Sequence, residues 1–277
     1  MATTKELARI ANKLRIDLVK MIGAAGSGHP GGSLSAIDII TTLFFHEMNH
    51  RPKEPKWPER DRFVLSKGHA CPALYAALAH AGYFDKSILK TLRKLESPLQ
   101  GHPDPGKLPY LEAATGSLGQ GLSVAQGIAL AAKVDKKSWR CFCIIGDGET
   151  QEGQIWEAAM SAPKFKLDNL IVFTDYNHGQ IDGSPEDVMP IEPIADKWRA
   201  FNWHVQSIDG HSFESIMEAI NNTKRVKDKP HMIIANTEKG HGVSFMKGVN
   251  WHGKAPNKEQ TEKAIKELEE MGRNLDG

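Results

Sequence analysis

Apolar residues recur along this chain in two patterns, one with helical spacing and one of short uninterrupted runs. Helical spacing is clearest over about residues 4–25, where Leu7, Leu14 and Leu18 fall on one face. Short apolar runs bounded by glycine are typical of strands that are buried on both faces. These runs predict strands at 63–65, 141–145, 170–174, 203–208 and 232–235. Further helices are predicted at about 33–46, 70–82, 85–95, 122–133, 152–164, 213–224 and 257–272.

The alternation of strands and helices also predicts the fold class. Strands that alternate with helices, with glycine at the strand ends, are typical of a parallel sheet covered by helices on both faces. A chain of 277 residues is long enough to bury the core of such a sheet. We therefore predict an α/β fold with a doubly wound parallel sheet, in a single domain over residues 1–277. The segment 50–62, which is rich in proline and charge, is expected to be a surface loop.

Composition narrows the class of protein. Apolar residues make up 40% and charged residues 25%, and the formal net charge is +1, so bulk charge does not favour nucleic-acid or membrane binding. The sequence lacks an apolar run long enough to span a bilayer and a secretory signal, which predicts a cytoplasmic location. Three cysteines do not form a disulfide framework. Cys141 and Cys143, two apart on a predicted strand, are expected to pack on one face.

The strongest chemical signal is a pair of oxygen ligands at two successive strand ends. Asp147 stands between two glycines after the run 141–145, and Asn177 follows the run 170–174. A strand–helix–strand unit places both ends side by side, at the edge where open α/β sheets bind ligands. Hard oxygen ligands beside a glycine turn suit Mg²⁺ or Ca²⁺ bridging a diphosphate. Gly-Asp-Gly alone is also compatible with a plain turn, and the asparagine at the matching position favours the metal site.

A second signal is a set of histidines in glycine-containing loops. Glycine lowers local crowding, and an imidazole can donate to anionic oxygens or move protons near neutral pH. We expect these loops to converge at the same sheet edge; their histidines are His29, His69, His102, His241 and His252. Structural roles are assigned to His46, His50, His80, His204, His211 and His231. A zinc cluster is disfavoured, because the spacings are irregular and no cysteine pair accompanies them.

In order along nearly the whole chain, these motifs resemble the transketolase family of thiamine diphosphate enzymes. The histidine-containing segments similar to that family are 27–31, 61–70 and 101–103, followed by the glycine segment 115–121. The run from Gly146-Asp147-Gly148 to Asn177 resembles the thiamine diphosphate motif. That motif is shared by the whole cofactor class, whereas the histidine loops are specific to transketolase and its close relatives.

The resemblance implies roles for individual residues, with thiamine diphosphate and Mg²⁺ (or Ca²⁺) as cofactors. Asp147, Asn177 and the backbone carbonyl of Gly179 would bind the metal. His29 and His102 would face the oxygens of the donor sugar, and His252 would also lie close to the reacting carbon. Glu152 would lie at a subunit interface. The residues implied to contact the cofactor are His69, Gly116, Ser117, Leu118, Gly146, Asp147, Gly148, Glu149, Asn177, Ile181 and His252.

The resemblance also implies a partner chain. Full-length transketolases add a pyrimidine-binding domain and a C-terminal domain, and neither is recognisable in this sequence. The implied protein is the N-terminal subunit of a two-subunit transketolase of pentose phosphate metabolism, active with a partner as two copies of each. It would transfer a two-carbon ketol unit between sugar phosphates. The partner would carry the glutamate that activates the cofactor.

Several alternatives remain open from the sequence. They are a split transketolase-like enzyme for another ketose, a subunit like 1-deoxyxylulose-phosphate synthase, and a non-catalytic paralogue that binds only a diphosphate or a partner. Retention of both metal ligands and the loop histidines argues against the paralogue. A 2-oxo-acid-dehydrogenase subunit is disfavoured because a lipoyl-linked reaction does not need so many partners for sugar hydroxyls. A metal hydrolase is disfavoured because the sequence shows no second carboxylate cluster.

Overall fold

The computed structural model describes residues 2–276, and within that range five parallel strands form one sheet. The strand order is β1-β2-β3-β5-β4. All neighbouring pairs are parallel, which confirms the predicted sheet. The predicted domain span of 1–277 includes Met1 and Gly277, which lie outside the described residues. The strands are β1 (Arg62–Leu65), β2 (Cys141–Gly146), β3 (Leu170–Tyr176), β4 (His204–Asp209) and β5 (His231–Asn236).

Helices connect the strands and cover the sheet. The first begins with a capping box, in which the Thr3 hydroxyl accepts from the Glu6 N–H and the Glu6 carboxylate accepts from the Thr3 N–H. It ends at Gly26, whose φ of 62° is the left-handed conformation that glycine adopts most easily. The helices are α1 (Thr4–Ala25), α2 (Pro30–Thr42), α3 (Cys71–Ala81), α4 (Gln120–Val134), α5 (Gly153–Lys164), α6 (Pro185–Val188), α7 (Ile194–Ala200), α8 (Phe213–Thr223) and α9 (Lys258–Asp276).

Two predicted helices need correction. The α-helix predicted at 85–95 is wrong, because only Lys86–Thr91 is helical there, as a 3₁₀ helix. Arg93 follows with a φ of 59°, a left-handed conformation that ends any right-handed helix. The second helix begins at Pro30, three residues earlier than its predicted start at 33, since proline is well tolerated in a first turn. It continues into a turn of π-helix, Leu43–Glu47.

Side chains of the sheet divide between two large apolar clusters, one on each face. Phe142 and Ile144 of β2 pack in the cluster formed with α1, α2, α3, α8 and α9. Cys141 and Cys143 point to the opposite face, where α4, α5 and α7 pack. Both cysteines are buried and free, so the prediction that they pack on one face is confirmed. Helices on both faces also confirm the doubly wound arrangement.

Across residues 2–276, no helix combines the length and the apolar character needed to cross a membrane.

Candidate active site

A cavity of about 320 Å³ opens at the carboxyl edge of the sheet. Residues that follow four strands reach it: Lys67 after β1, Asp147 after β2, Asn177 after β3 and Lys239 after β5. Ser117 is exposed and does not form part of the cavity wall. The other residues assigned from the sequence all line the cavity, namely His29, His69, His102, Gly116, Leu118, Gly146, Asp147, Gly148, Glu149, Glu152, Asn177, Gly179, Ile181 and His252.

Asp147 presents a buried oxygen atom that lacks a hydrogen-bond partner. Its Oδ1 accepts from the N–H of Gly148 at 2.7 Å, whereas Oδ2 has no partner within the described chain. Burial, together with the nearby Asp175 carboxylate, raises the pKa of Asp147 above its ordinary value. An unpartnered buried carboxylate oxygen is unfavourable, so this atom fits the role of a cation ligand.

Asn177 and Gly179 direct oxygen atoms toward a shared cation, the ammonium of Lys239. The Asn177 amide nitrogen donates to Asp175 at 3.0 Å and to Ser35 at 3.1 Å, which leaves its side-chain oxygen free to accept. That oxygen lies 3.3 Å from Lys239 Nζ, and the carbonyl oxygen of Gly179 lies 2.6 Å from it. With Asp147 Oδ2, they form the all-oxygen donor set that a hard divalent cation prefers.

Lys67 and Lys239 are buried cations of the cavity that the sequence reasoning missed. Lys67 is ion-paired with Asp175 and donates to the carbonyl of Gly32 at 2.8 Å. Burial, with Lys67 as the next contribution, lowers the pKa of Lys239 to about 8. Buried lysines at a cavity wall suit an anionic ligand such as phosphate. A sequence signal existed, since each lysine directly precedes a Gly-His pair.

His29, His69 and His252 contact one another along one wall. Their ring centroids are 5.2 Å apart for His29 and His69, 5.6 Å for His29 and His252, and 5.1 Å for His69 and His252. Burial lowers the pKa to about 4 for His29 and about 3 for His252, and lowers that of His69 as well. A neutral imidazole has one donor and one acceptor nitrogen, so this wall suits sugar hydroxyls.

His102 lies against a glycine that makes room for its ring. Gly116 has a φ of 155°, and a Cβ at this position would lie 3.2 Å from His102 Cδ2. A larger residue would therefore strain the backbone and crowd the imidazole. Burial, followed by the charge of Arg93, lowers the pKa of His102. The loop after α3 and the segment before α4 thus meet to place this histidine at the cavity.

Glu149 lines the cavity, but its carboxylate is occupied by protein partners. It accepts from the Ser66 hydroxyl, from the Gly119 N–H at 2.8 Å and from the Gly146 N–H at 3.0 Å. Burial raises the pKa of this carboxyl. Glu149 therefore fastens the ends of β1 and β2 to the start of α4. Glu152, in contrast, is exposed at the amino end of α5 and is accessible to another chain.

The expectation that all five loop histidines converge is wrong for His241, which does not line the cavity. Its ring stacks on His211 with centroids 3.6 Å apart. These two rings and Asp38 are close enough to hold a metal, but their polar atoms have partners. Asp38 pairs with Arg15 at 2.5 Å and with His211 at 2.8 Å, and His211 Nε2 accepts from the Glu238 N–H. This group is a structural network behind the cavity.

Comparisons with known proteins show which family the chain belongs to. The family profile described as "Transketolase, thiamine diphosphate binding domain" matches residues 6–273. The chain is 49% identical to the 6-deoxy-6-sulfo-D-fructose transketolase subunit SqwG of Clostridium sp. (strain MSTE9), over 96% of this chain and 98% of the relative. It is 42% identical to one of the subunits of the apulose-4-phosphate transketolase of Phocaeicola vulgatus, over 99% of this chain and 96% of the relative.

A solved structure shows the same likeness. The transketolase of Campylobacter jejuni matches with a TM-score of 0.90 and 36% identity. This match covers 97% of the present chain but only 43% of the Campylobacter chain. The chain therefore spans nearly all of two relatives named as subunits and less than half of a larger enzyme.

Proposed function

The chain belongs to the transketolase family, as its thiamine diphosphate binding domain, and on this premise we propose that it is the N-terminal subunit of a two-subunit transketolase. The reaction is transfer of a two-carbon ketol unit from a ketose to an aldose. The observation that carries this proposal is the similarity to two transketolase subunits, each matched over nearly its whole length. We further propose that residues 1–277 are a single diphosphate-binding domain, and that the enzyme works in the cytoplasm, where free buried cysteines are usual.

We propose Mg²⁺ (or Ca²⁺) and thiamine diphosphate as the cofactors of the cavity. Asp147 Oδ2, Asn177 Oδ1 and the Gly179 carbonyl would hold the metal. Because the Lys239 ammonium uses two of these oxygens, metal binding would free Lys239 for the diphosphate. Lys67 and His69 lie on the same wall and would hold the diphosphate as well. When bound, the cofactor supplies the electron sink for breaking and forming the carbon–carbon bond.

The remaining histidines act on the donor sugar in this proposal. His29, His102 and His252 are held neutral by burial, so a ring nitrogen of each can serve either as donor or as acceptor to a sugar oxygen. Nδ1 of His29 and of His252 is buried with no hydrogen-bond partner in the described chain, which leaves both rings uncommitted. These imidazoles orient the ketose and can accept the proton of a sugar hydroxyl and return it, and the cavity walls limit the access of water.

The donor is proposed to be a ketose that carries an anionic group. The two relatives that the chain matches almost end to end are named for a sulfonated fructose and a phosphorylated apulose. The test is a transfer assay on the assembled enzyme, with thiamine diphosphate and Mg²⁺, using phosphorylated, sulfonated and neutral ketoses. We expect transfer from an anionic ketose. Cofactor binding without transfer from any ketose would refute the function.

Substitution of individual histidines should separate cofactor binding from donor binding. His69→Ala is expected to weaken thiamine diphosphate binding by roughly tenfold, since one hydrogen bond to an anion is lost. His29→Ala and His102→Ala are expected to leave cofactor affinity unchanged and to lower kcat/KM for the donor by about 100-fold. Calorimetry and steady-state kinetics measure the two effects. Equal loss of cofactor affinity in all three variants would contradict these assignments.

The exposed face of α4 supports assembly from two copies of this subunit. A Cβ at Gly127 would meet no atom of residues 2–276 within 4 Å, so no contact among these residues explains a glycine that costs about 1 kcal/mol relative to alanine. Met160 on the neighbouring α5 is 68% exposed. We infer that this face packs against its own copy across a two-fold axis. Apart from Lys133, which is ion-paired with Asp168, the exposed residues of α4 are uncharged: Gln120, Ser123, Val124, Gly127, Ala131 and Val134.

A charge on this face should prevent self-association. Val124→Glu is expected to convert the purified chain from dimer to monomer, because a carboxylate would be buried opposite its own copy. Sedimentation velocity measures the change. Leu95→Glu, a substitution of an apolar residue that is 95% exposed elsewhere, is the matched control and should remain dimeric. A monomeric wild-type chain, or a dimeric Val124→Glu variant, would contradict the proposed face.

A further inference from the structure

Arg93 lies outside the cavity wall and ties together the loops of two cavity histidines. Its Nη1 donates to the Ser27 hydroxyl at 2.9 Å, two residues before His29. Its Nη2 donates to the carbonyl of Gly101 at 3.3 Å, one residue before His102. One guanidinium thus spans two loops that are more than 70 residues apart in sequence. The planar fork of arginine suits such a bridge better than a lysine ammonium does.

The backbone at Arg93 has an unusual conformation, and its side chain packs closely against the His102 loop. Arg93 has a φ of 59°, which costs a non-glycine residue roughly 1–2 kcal/mol, and its N–H donates to the Leu99 carbonyl at 2.9 Å. A Cβ at Gly101 would lie 3.0 Å from Arg93 Cζ, so the guanidinium packs directly on the backbone of the His102 loop. Backbone strain that a structure retains next to a site suggests a role at that site.

The charge of Arg93 also acts on both histidines. His29 faces Arg93, His102 and Lys239, in addition to the rings of His69 and His252. Burial is the largest cause that lowers the pKa of His29, and the charge of Arg93 is the second. The same two causes, in the same order, lower the pKa of His102. The guanidinium therefore opposes protonation of both rings.

We propose that Arg93 is a positioning residue that holds the His29 and His102 loops in register and places its guanidinium between them. The proposal rests on the proposed function, because it assigns the two histidines to the donor sugar. Arg93 does not line the cavity, so it acts through the histidines rather than on the substrate.

The His102 loop has a second anchor that is independent of Arg93. The Tyr75 hydroxyl lies 3.0 Å from the Gln100 carbonyl and 3.1 Å from the His102 carbonyl. The Cys71 thiol also lies 3.2 Å from the Gly101 carbonyl. Because these contacts come from the buried face of α3, substitution of Arg93 should leave the chain folded.

The test compares Arg93→Gln, which removes the charge, with Arg93→Lys, which keeps it. Lys94→Gln is the matched control, since it removes an exposed cation from the neighbouring position. On the assembled enzyme, kcat/KM for the donor is measured against pH, and thiamine diphosphate affinity is measured by calorimetry. Neutral imidazole is the active form, so activity falls as pH drops through the histidine pKa. Loss of the guanidinium raises that pKa, and the fall therefore begins at higher pH.

For Arg93→Gln we expect the acidic limb of the pH profile to move up by roughly 0.5 pH unit or more, so that kcat/KM at a pH well below the histidine pKa falls about threefold for each of the two histidines. Arg93→Lys should show the acidic limb of the pH profile at the wild-type pH but a higher KM for the donor. Lys94→Gln should match wild type in both respects. Cofactor affinity should stay within about twofold in all three. The proposal would be overturned if the acidic limb of the Arg93→Gln profile lay at the same pH as in wild type, or if it shifted equally in Lys94→Gln.

A second measurement does not depend on activity. NMR titration of the histidine side chains should show higher pKa values for His29 and His102 in Arg93→Gln than in the wild-type enzyme. Unchanged titration would overturn the role of Arg93 even in an active enzyme. A rise in both pKa values without ketol transfer in the wild type would support Arg93 and refute the proposed function, so the two failures are distinguishable.

Discussion

Asp147→Asn is expected to abolish metal-dependent binding of thiamine diphosphate and to leave the fold intact. Asp147 Oδ2 is the only one of the three proposed metal ligands that carries a formal negative charge. An asparagine keeps the shape of the side chain but removes that charge, so a divalent cation loses its strongest ligand. Loss of a residue that only supports a metal ligand typically weakens metal binding about 10- to 100-fold. Because Asp147 is proposed as a ligand itself, we expect cofactor binding to weaken by more than about 100-fold.

The same substitution should not destabilise the cofactor-free chain. Oδ2 is buried without a partner, and burial already raises the pKa of this carboxyl. Replacing an unpaired buried charge by a neutral amide removes an unfavourable term, so the melting temperature should stay equal or rise. A functional residue that opposes stability in the empty site is typical of ligand-binding positions.

Calorimetry with thiamine diphosphate and Mg²⁺ measures affinity, and thermal unfolding with and without cofactor measures stability. Asp135→Asn, an exposed carboxylate at the end of α4, is the matched control and should bind cofactor as wild type does. Cofactor affinity of Asp147→Asn within threefold of wild type would remove Asp147 from the metal site. A large fall in the melting temperature of the cofactor-free variant would show a structural role instead.

Sequence patterns predicted the sheet well because four of its five described strands, β1, β2, β3 and β5, are almost entirely buried. A continuous apolar run such as 141–145 has no other stable location in a chain of this composition, and each predicted strand end lies within two residues of the observed one. The helix predicted at 85–95 failed because the backbone conformation of Arg93 overrides local helical spacing. That conformation is stabilised by contacts with Ser27 and Gly101, which are remote in sequence.

The cavity was predicted in part, for a similar reason. Asp147, Asn177 and His69 follow strands and His29 begins α2, so the topology alone places these four at one edge, whereas His102 and His252 reach it from loops. Lys67 and Lys239 were missed because lysine is almost never fully buried, and only the folded chain shows their acidic and carbonyl partners. The position of His241 was predicted wrongly because a Gly-His-Gly motif does not determine which side of the loop the ring faces.

The isolated chain is expected to show no ketol transfer, even with thiamine diphosphate and Mg²⁺ in excess. The proposed metal and diphosphate residues Asp147, Asn177 and Lys239 are buried, whereas part of the cavity lining is exposed. Ile181 on that rim is 73% exposed, and Met189, farther along the same connection, is 58% exposed. Exposed apolar side chains beside a ligand cavity are typical of a surface that another chain covers.

The partner subunit is proposed to cover this rim and to supply the carboxylate that activates the cofactor. Chain alone, partner alone and the mixture are compared in a coupled transketolase assay, with the partner obtained from neighbouring open reading frames. The mixture should be active, with a mass by light scattering equal to two copies of each subunit, while each chain alone stays at background. A mixture containing Asp147→Asn should also be inactive, which shows that turnover depends on this subunit. Turnover by the present chain alone at the rate of the mixture would overturn the two-subunit proposal, because a complete site would then exist without the covering partner.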